Sequence, residues 1–346
     1  MTRIRLPSWL SGVLTAALLA GTLSAGISTR GEQPPVELGE ATDCAIVAGM
    51  AVVATDRGLV VGDVYVSPGD TVRGFPPGRV RGSTHVDDGK ARLAKADAAA
   101  AYQDTARRRP DAVMPTNLGG MTVPPGVYRA GEDAFQITGT LTLDAEGDPD
   151  AVFIFQSDSL NTARVSNIDL VDGAQANNVF WQVAGPASLG TESTFRGNIL
   201  AQESIMVSPA AVVYGRTMAL DDMVQMVGST SVPDTRVMVP EYPPTTTTVT
   251  SSANPARKGQ PITFTAKVTG PDPSVVPTGK VLFKDGESVI GSGFQSSTMT
   301  ATFTTSGLAA GRHQITATYL DGGFAVNEDW VTYTPSVSDP LIQLVN

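Results

Sequence analysis

One short strand, written twice at a fixed interval, constrains this chain more than any other feature. Gly197-Asn198-Ile199-Leu200-Ala201 returns 18 residues later as Gly215-Arg216-Thr217-Met218-Ala219. Val152-Phe153-Ile154-Phe155-Gln156 returns as Val179-Phe180-Trp181-Gln182-Val183, and Leu189-Gly190-Thr191 is echoed 17 residues on by Met206-Val207-Ser208. A strand of this length buries little alone. Stacked on its copies it shares a continuous core, so the spacing predicts the coils of a β-solenoid. Further short apolar runs at 45–54, 62–66, 126–129 and 135–143 keep the same rhythm. A β-sandwich is the competing reading, and one segment argues against it. Residues 87–109, DDGKARLAKADAAAAYQDTARRR, are rich in strong helix formers. Asp87 or Asp88 caps the start, arginines suit the C-terminal dipole, and Pro110 stops it. The expected helix covers about 88–108. Its single apolar face, Ala91, Ala94, Ala98, Ala101 and Tyr102, is small enough to lie close on a flat sheet.

The domain plan follows from changes in grammar. Residues 1–26 read as a secretory signal: Arg3 and Arg5, then a mostly apolar stretch at 9–20, then small Ser24, Ala25 and Gly26. The apolar stretch is short for a stable membrane span. The expected product is secreted or extracellular, with cell-surface association open, and has no membrane insertion after cleavage. Residues 27–40 read as a linker and 41–238 as the solenoid domain. A Pro/Thr-rich, extended linker follows at 239–246. Residues 247–335 then alternate strictly, as in ITFTAKV, GKVLFK, TMTATFT and RHQITATY. About seven such strands in this length point to an immunoglobulin-like sandwich. Tyr319 is expected at a sandwich corner, Trp330 on the last strand, and 336–346 as a tail.

Composition and charge exclude several functions. The formal net charge is -10, where nucleic acid or an anionic membrane demands a basic face. The single cysteine, Cys44, opens the apolar run Ala45-Ile46-Val47-Ala48 and is expected as a buried strand residue. The only histidines, His85 and His313, fall in different expected domains, so no Cys/His or Ser/His constellation is available. Asp144, Asp148 and Asp150 lie in Gly-Asp-Pro-Asp context, which favours turns over a metal site. The expected protein is therefore no enzyme, with no metal and no cofactor.

Ordered blocks across 41–232 resemble the ice-binding-like family. They are Gly62-Asp63-Val64 with Ser67-Pro68-Gly69, Gly74-Phe75-Pro76-Pro77-Gly78, the Ala-rich helix, Leu118-Gly119-Gly120 and Pro125-Gly126-Val127-Tyr128. Then come Thr138-Gly139-Thr140-Leu141-Thr142-Leu143, the stretch 147–156, and Asn178-Val179-Phe180-Trp181-Gln182-Val183. The resemblance implies a mostly β chain: a discontinuous right-handed β-solenoid of triangular section with one long flanking α-helix, here followed by a C-terminal Ig-like β-sandwich similar to bacterial Ig-like repeats. It also implies a ligand, an ice crystal surface, and a face drawn from the later coils. The corresponding candidates here are Thr162, Ser166, Thr191, Ser193, Thr194, Ser208, Ala210, Ser229, Thr230 and Ser231. A solid lattice calls for a flat grid, and parallel strands supply one, about 6.6 Å between alternate residues and about 4.8 Å between rungs. β-Branched Thr holds its rotamer on such a grid. Only Thr191-x-x-Thr194 keeps a clean Thr-x-x-Thr spacing, and Arg164, Glu192 and Pro209 interrupt the pattern. A second reading therefore stays open: a surface adhesin binding cell-surface or matrix components on the same scaffold.

Overall fold

Each solenoid coil bends three times, and the bends follow the alternation of the sequence. The computed structural model describes residues 33–240, 243–272, 275–295, 300–320, 323–326 and 329–346. The expected signal segment lies outside them, as does the side chain of Trp330. Between Cys44 and Met238 every strand pairing is parallel, and the strands form three faces.

The first face runs through nine rungs. In spatial order they are Ala112–Met114, Gly126–Ala130, Phe153–Ser157, Val179–Val183, the second halves of Thr194–Ala201 and Val212–Ala219, then Cys44–Ala48, Asp63–Val66 and Thr84–Val86. Seven rungs make the second face: Ala134–Ile137, Ser159–Thr162, Ala187–Leu189, Ile205–Val207, Val224–Val227, Ala51–Thr55 and Thr71–Arg73. The third runs from Thr122–Val123, Thr140–Asp144 and Asn167–Val171 through the first halves of Thr194–Ala201 and Val212–Ala219 to Thr235–Met238, Gly58–Val61 and Arg79–Arg81.

Spatial order and chain order differ at one place. Ile46 pairs with Thr217 on one side and Val64 on the other. The first coil of the chain thus joins the last coil, Val212–Met238, to the second, Asp63–Arg81. The helix Gly89–Arg107 then carries the chain back to the opposite end of the stack. Its 19 residues span about 28 Å, against about 38 Å for nine rungs. Asp88 caps it, its carboxylate accepting the Ala91 N–H at 2.9 Å.

The helix covers the first face. Ala91, Ala94, Ala98 and Ala101 are fully buried against Val47, Ile154, Phe180, Leu200 and Met218, as the small apolar stripe predicts. Inside the coils the register stacks rings: Tyr128, Phe155 and Trp181 occupy one inward column, closed by Ile199. Two strands bend between faces at glycine. Gly197 and Gly215 have φ of +121° and +150°, and a Cβ on Gly215 would stand 1.9 Å from the Gly197 carbonyl oxygen.

The 18-residue repeat is the pairing register itself, Gly197 on Gly215 and Ala201 on Ala219. The other two recurrences are each one residue out. Phe153, not Val152, pairs with Val179, and Leu189 pairs with Val207 rather than Met206. In neither case do both copies carry a glycine at the same position, as Gly197 and Gly215 do, so composition alone leaves the register one step loose.

Residues from Thr246 onward form antiparallel sheets. Thr246–Ser251, Ile262–Thr269 and Ala301–Thr305 make one. Ser288–Gln295, Gly279–Asp285, Gly311–Tyr319, Ser336–Val337 and Leu341–Val345 make a second, and Gly323–Val326 with Asp329–Thr332 a two-stranded third. Phe264, Phe283, Ile315 and Tyr319 fill the space between the first two. Residues 336–346, expected as a tail, supply two strands paired with Gly311–Tyr319, because Leu341-Ile342-Gln343-Leu344-Val345 alternates like the rest. Tyr319 is buried in mid-sheet, and its hydroxyl donates to the Thr278 carbonyl at 3.1 Å, a link between distant segments rather than a local corner.

Candidate functional site: the open face of the solenoid

Of the three faces, the first lies under the helix. The third is charged: Arg196 donates to Asn167 Oδ1 at 3.0 Å and sits 5.5 Å over the Tyr214 ring, and Arg79 pairs with Asp234 at 3.2 Å. Such side chains carry their own hydration and stand proud of the sheet. The second face is open.

Its outward residues follow from the pairing. Gln136 stands beside Asn161, Asn161 beside Ser188, Ser188 beside Met206, Met206 beside Gln225, Gln225 beside Val53, and Val53 beside Arg73. On one side of this row lie Ala134, Ser159, Ala51 and Thr71, on the other Val227 and Thr55. Charge enters these rows only at Arg73, on the terminal rung. Inward residues alternate with them, and Phe135, Leu160, Leu189, Ile205, Val207, Val224 and Met226 are fully buried in the coil core. Each outward side chain therefore stands on a packed, hydrogen-bonded support. Seven rungs extend about 29 Å.

The sequence candidates fall elsewhere: most lie on the corner where the second face turns into the third. Val165, Glu192 and Ala210 adopt left-handed φ of 59°, 59° and 57° in successive coils, so the turns stack. Four candidates are turned inward there and offer nothing to a surface ligand. Thr162 is buried, its Oγ1 accepting the Gly190 N–H at 2.8 Å. Ser166 donates to the Ala163 carbonyl at 2.9 Å, Ser193 is 1% exposed, and Ala210 donates its N–H to Thr235 Oγ1 at 3.1 Å. Thr162 and Ser166 thus satisfy backbone groups of the corner itself, whereas the Ser193 hydroxyl is buried without a hydrogen-bond partner.

Thr191 and Ser208 are partly exposed on the corner, and Thr194 begins a third-face strand. Ser229, Thr230 and Ser231 form a turn in which Ser229 Oγ accepts the Ser231 N–H. The Arg164–Glu192 ion pair, at 2.7 Å, also sits on this rim. Asn161, Ser188, Met206, Gln225 and Val53 on the open face are not among the sequence candidates. Their signal is faint: a single outward residue between two apolar ones, as in Ala187-Ser188-Leu189 and Ile205-Met206-Val207.

Ionisable groups add little chemistry. Burial pushes the Cys44 thiol up to about 12, so it stays protonated and inert. Asp144 and Asp148 accept the N–H groups of Glu146 and Asp150 within their own turns. Among the described residues no group of three or more His, Cys, Asp or Glu side chains is placed to hold a metal ion.

This geometry has counterparts. The family described as ice-binding-like matches residues 46–232, more than half of the sequence. The chain belongs to the ice-binding-like family. The bacterial Ig-like domain (group 3) family matches residues 246–344. An ice-binding protein of Nostoc sp. (strain HG1) is 40% identical over 192 residues, covering 55% of this chain and 71% of that protein. One from Colwellia sp. is 32% identical over 222 residues, covering 58% and 85%. Among solved structures, an ice-binding protein from an Antarctic biological consortium is 38% identical with a TM-score of 0.55, over 57% of this chain and 90% of that one. Another, from the Antarctic ascomycete Antarctomyces psychrotrophicus, gives 32% and 0.54 over 60% and 98%. The matched shares correspond to the solenoid, which is thus the part these ice-binding-like relatives have in common.

Proposed function

We propose that the chain adsorbs to ice outside the cell through the open face of its solenoid and restrains crystal growth around each bound molecule. One observation carries this reading: the open face is the one face that combines freedom from the helix, regularity in two directions and near absence of charge. Ser159, Asn161, Ser188 and Gln225 offer hydroxyl and amide groups to an ordered water layer, while Met206, Val53 and Val227 supply apolar area that water cannot solvate freely. Adsorption to a solid needs many weak contacts held in register, and the packed core beneath supplies the rigidity. The exposed rim candidates Thr191, Ser208, Ser229, Thr230 and Ser231, with Thr194 beside them, border this plane. The named relatives are ice-binding proteins, which supports binding rather than catalysis as the activity. The Arg3/Arg5 leader pattern supports an extracellular setting.

Thermal hysteresis and ice recrystallisation test the proposal. The unaltered protein should shape and arrest ice. Asn161→Tyr with Ser188→Tyr, which lifts two adjacent rungs off the lattice, should remove most of the effect. Thr191→Tyr with Thr194→Tyr, at the rim, should remove less. Equal or greater loss in the second pair moves the site to the corner. Normal ice growth with the unaltered protein at high concentration sinks the reading and leaves a scaffold for matrix or cell-surface components.

A further inference from the structure

The threonines that the solenoid's open face lacks are found on the Ig-like domain. In its three-stranded sheet, alternation sends Phe264, Ala266 and Val268 into the core and their neighbours outward. The antiparallel register then aligns the outward residues in rows. Thr250, Thr265 and Thr302 form one row across all three strands. Thr263 pairs with Thr304 in the next, and Thr246 with Thr269 at the other end. In between, Thr248 faces Lys267. Eight of these nine outward positions are threonine.

β-Propensity alone does not produce this. It acts equally on the second sheet, whose paired outward residues include Leu282 beside Thr318, Lys284 beside Thr316, Gln314 beside Ile342 and Arg312 beside Leu344. Threonine is concentrated on one side only. The second sheet's outer side is also the one turned to the solenoid: Lys280 forms an ion pair with Asp172, and Lys284, Thr316 and Thr318 line a cleft of about 640 Å³ with Gly147 and Pro149. The threonine side faces away and is solvated.

Part of the array is also tied by hydrogen bonds. The Thr263 and Thr304 hydroxyls bond each other at 2.8 Å. Thr250 donates to the Thr265 carbonyl and Thr269 to the Thr246 carbonyl across the strands. Each hydroxyl thereby keeps a free acceptor lone pair, and each methyl is held outward by the β-branched rotamer. Rows lie about 6.8 Å apart and strands about 4.8 Å. Adjacent strands of a sheet rotate by about 20–25°, so neighbouring strands of the grid share a near-common plane while the three together turn by about 40–50°. A lattice of methyls and hydroxyls, charged only at Lys267, offers little to a highly charged or deeply shaped partner. It matches ordered water.

We infer that this threonine face of the Ig-like domain is a second ice-adsorbing plane of the chain. The inference rests on the reading that the chain works against ice, and uptake of the full-length protein into slowly growing polycrystalline ice separates the two. The open-face pair Asn161→Tyr/Ser188→Tyr should lower uptake severalfold yet leave it above that of an unrelated control protein. Adding Thr265→Tyr and Thr302→Tyr should bring it to the control level, with the melting curve unchanged. Lys267→Thr, which completes the array, should raise the residual uptake of the open-face pair severalfold. Control-level uptake by the open-face pair, unrescued by Lys267→Thr, overturns the second plane and leaves the solenoid site standing. Undiminished uptake by the open-face pair, with loss on Thr265→Tyr/Thr302→Tyr, removes the solenoid site and assigns the whole activity to the threonine face. No uptake by the unaltered protein removes both.

Discussion

The Phe155 ring lies flat on the Trp181 indole, their centroids 4.1 Å apart and their planes 12° from parallel. The contact is a direct product of register, since the two residues pair across adjacent rungs. Phe135 and Phe195 close around them from the other faces. Trp181→Ala should therefore destabilise the solenoid by about 3–5 kcal/mol, the usual range for an aromatic removed from a packed core. Denaturant unfolding followed by circular dichroism measures this, and a loss below about 1 kcal/mol would mean the ladder is not the core.

Close approach of the helix depends on alanine. Ala94 and Ala98 are wholly buried against the first face. Enlarging Ala98 to Leu adds volume where none is free, and should lower stability by about 1–3 kcal/mol. Ala99 is only partly buried beside the cluster, so Ala99→Leu should be much milder. Equal effects of the two, compared by thermal melting, would contradict the assigned helix face.

The stacked corner holds a strained residue. Val165 is β-branched, 61% exposed, and sits at φ +59°. That region disfavours branched side chains. Val165→Asn, which tolerates left-handed backbone and loses little packing, should raise the unfolding midpoint, by up to about 1 kcal/mol in stability. A fall in the midpoint would show that the Val165 side chain supports the corner.

Stability of the Ig-like sheets should depend on pH through His313. Its Nε2 meets the Ala309 carbonyl at 2.9 Å and its Nδ1 meets Asp285 Oδ2 at 2.6 Å. The Ala309 carbonyl first, then the Asp285 carboxylate, raises its pKa above the ordinary histidine value. The folded state therefore binds the proton more tightly than the unfolded state. The added stability is fully present below the unfolded pKa of about 6.5 and is lost as pH rises through the higher folded value. His313→Gln should flatten this dependence between about pH 5 and about pH 8 in thermal melts. An unchanged slope would place the pH response elsewhere.

How far these features could be read in advance depends on what local sequence encodes. The alanine stripe with a cap at Asp87 or Asp88 specified the helix and its buried side, because capping and periodicity are local. The 18-residue repeat specified rung pairing where glycines marked the bend, at Gly197 and Gly215. Where the two copies share no glycine at the same position, the register slipped by one residue, as at Val152 and Phe153. The candidate site suffered from the same looseness. Thr162 and Asn161 are adjacent, and alternation sends one inward to Gly190 and the other to the open face. The Thr/Ser/Ala stretches that the resemblance implies for the later coils therefore fall mostly on the corner, while the plane beside it carries Ser188, Met206 and Gln225. Nothing local could tell Cys44–Ala48 which free edge to join.

That last placement bears on how the protein comes into being. Most stacked-coil proteins can grow coil by coil, each new turn settling on the one before. Here Ile46 waits for Thr217, about 170 residues later in the chain. At ordinary rates of synthesis the delay is on the order of 10–30 s. Until then the first two coils and the helix have no stack to complete. The first two coils must wait while about half the chain is made, and the solenoid is sealed by its oldest part.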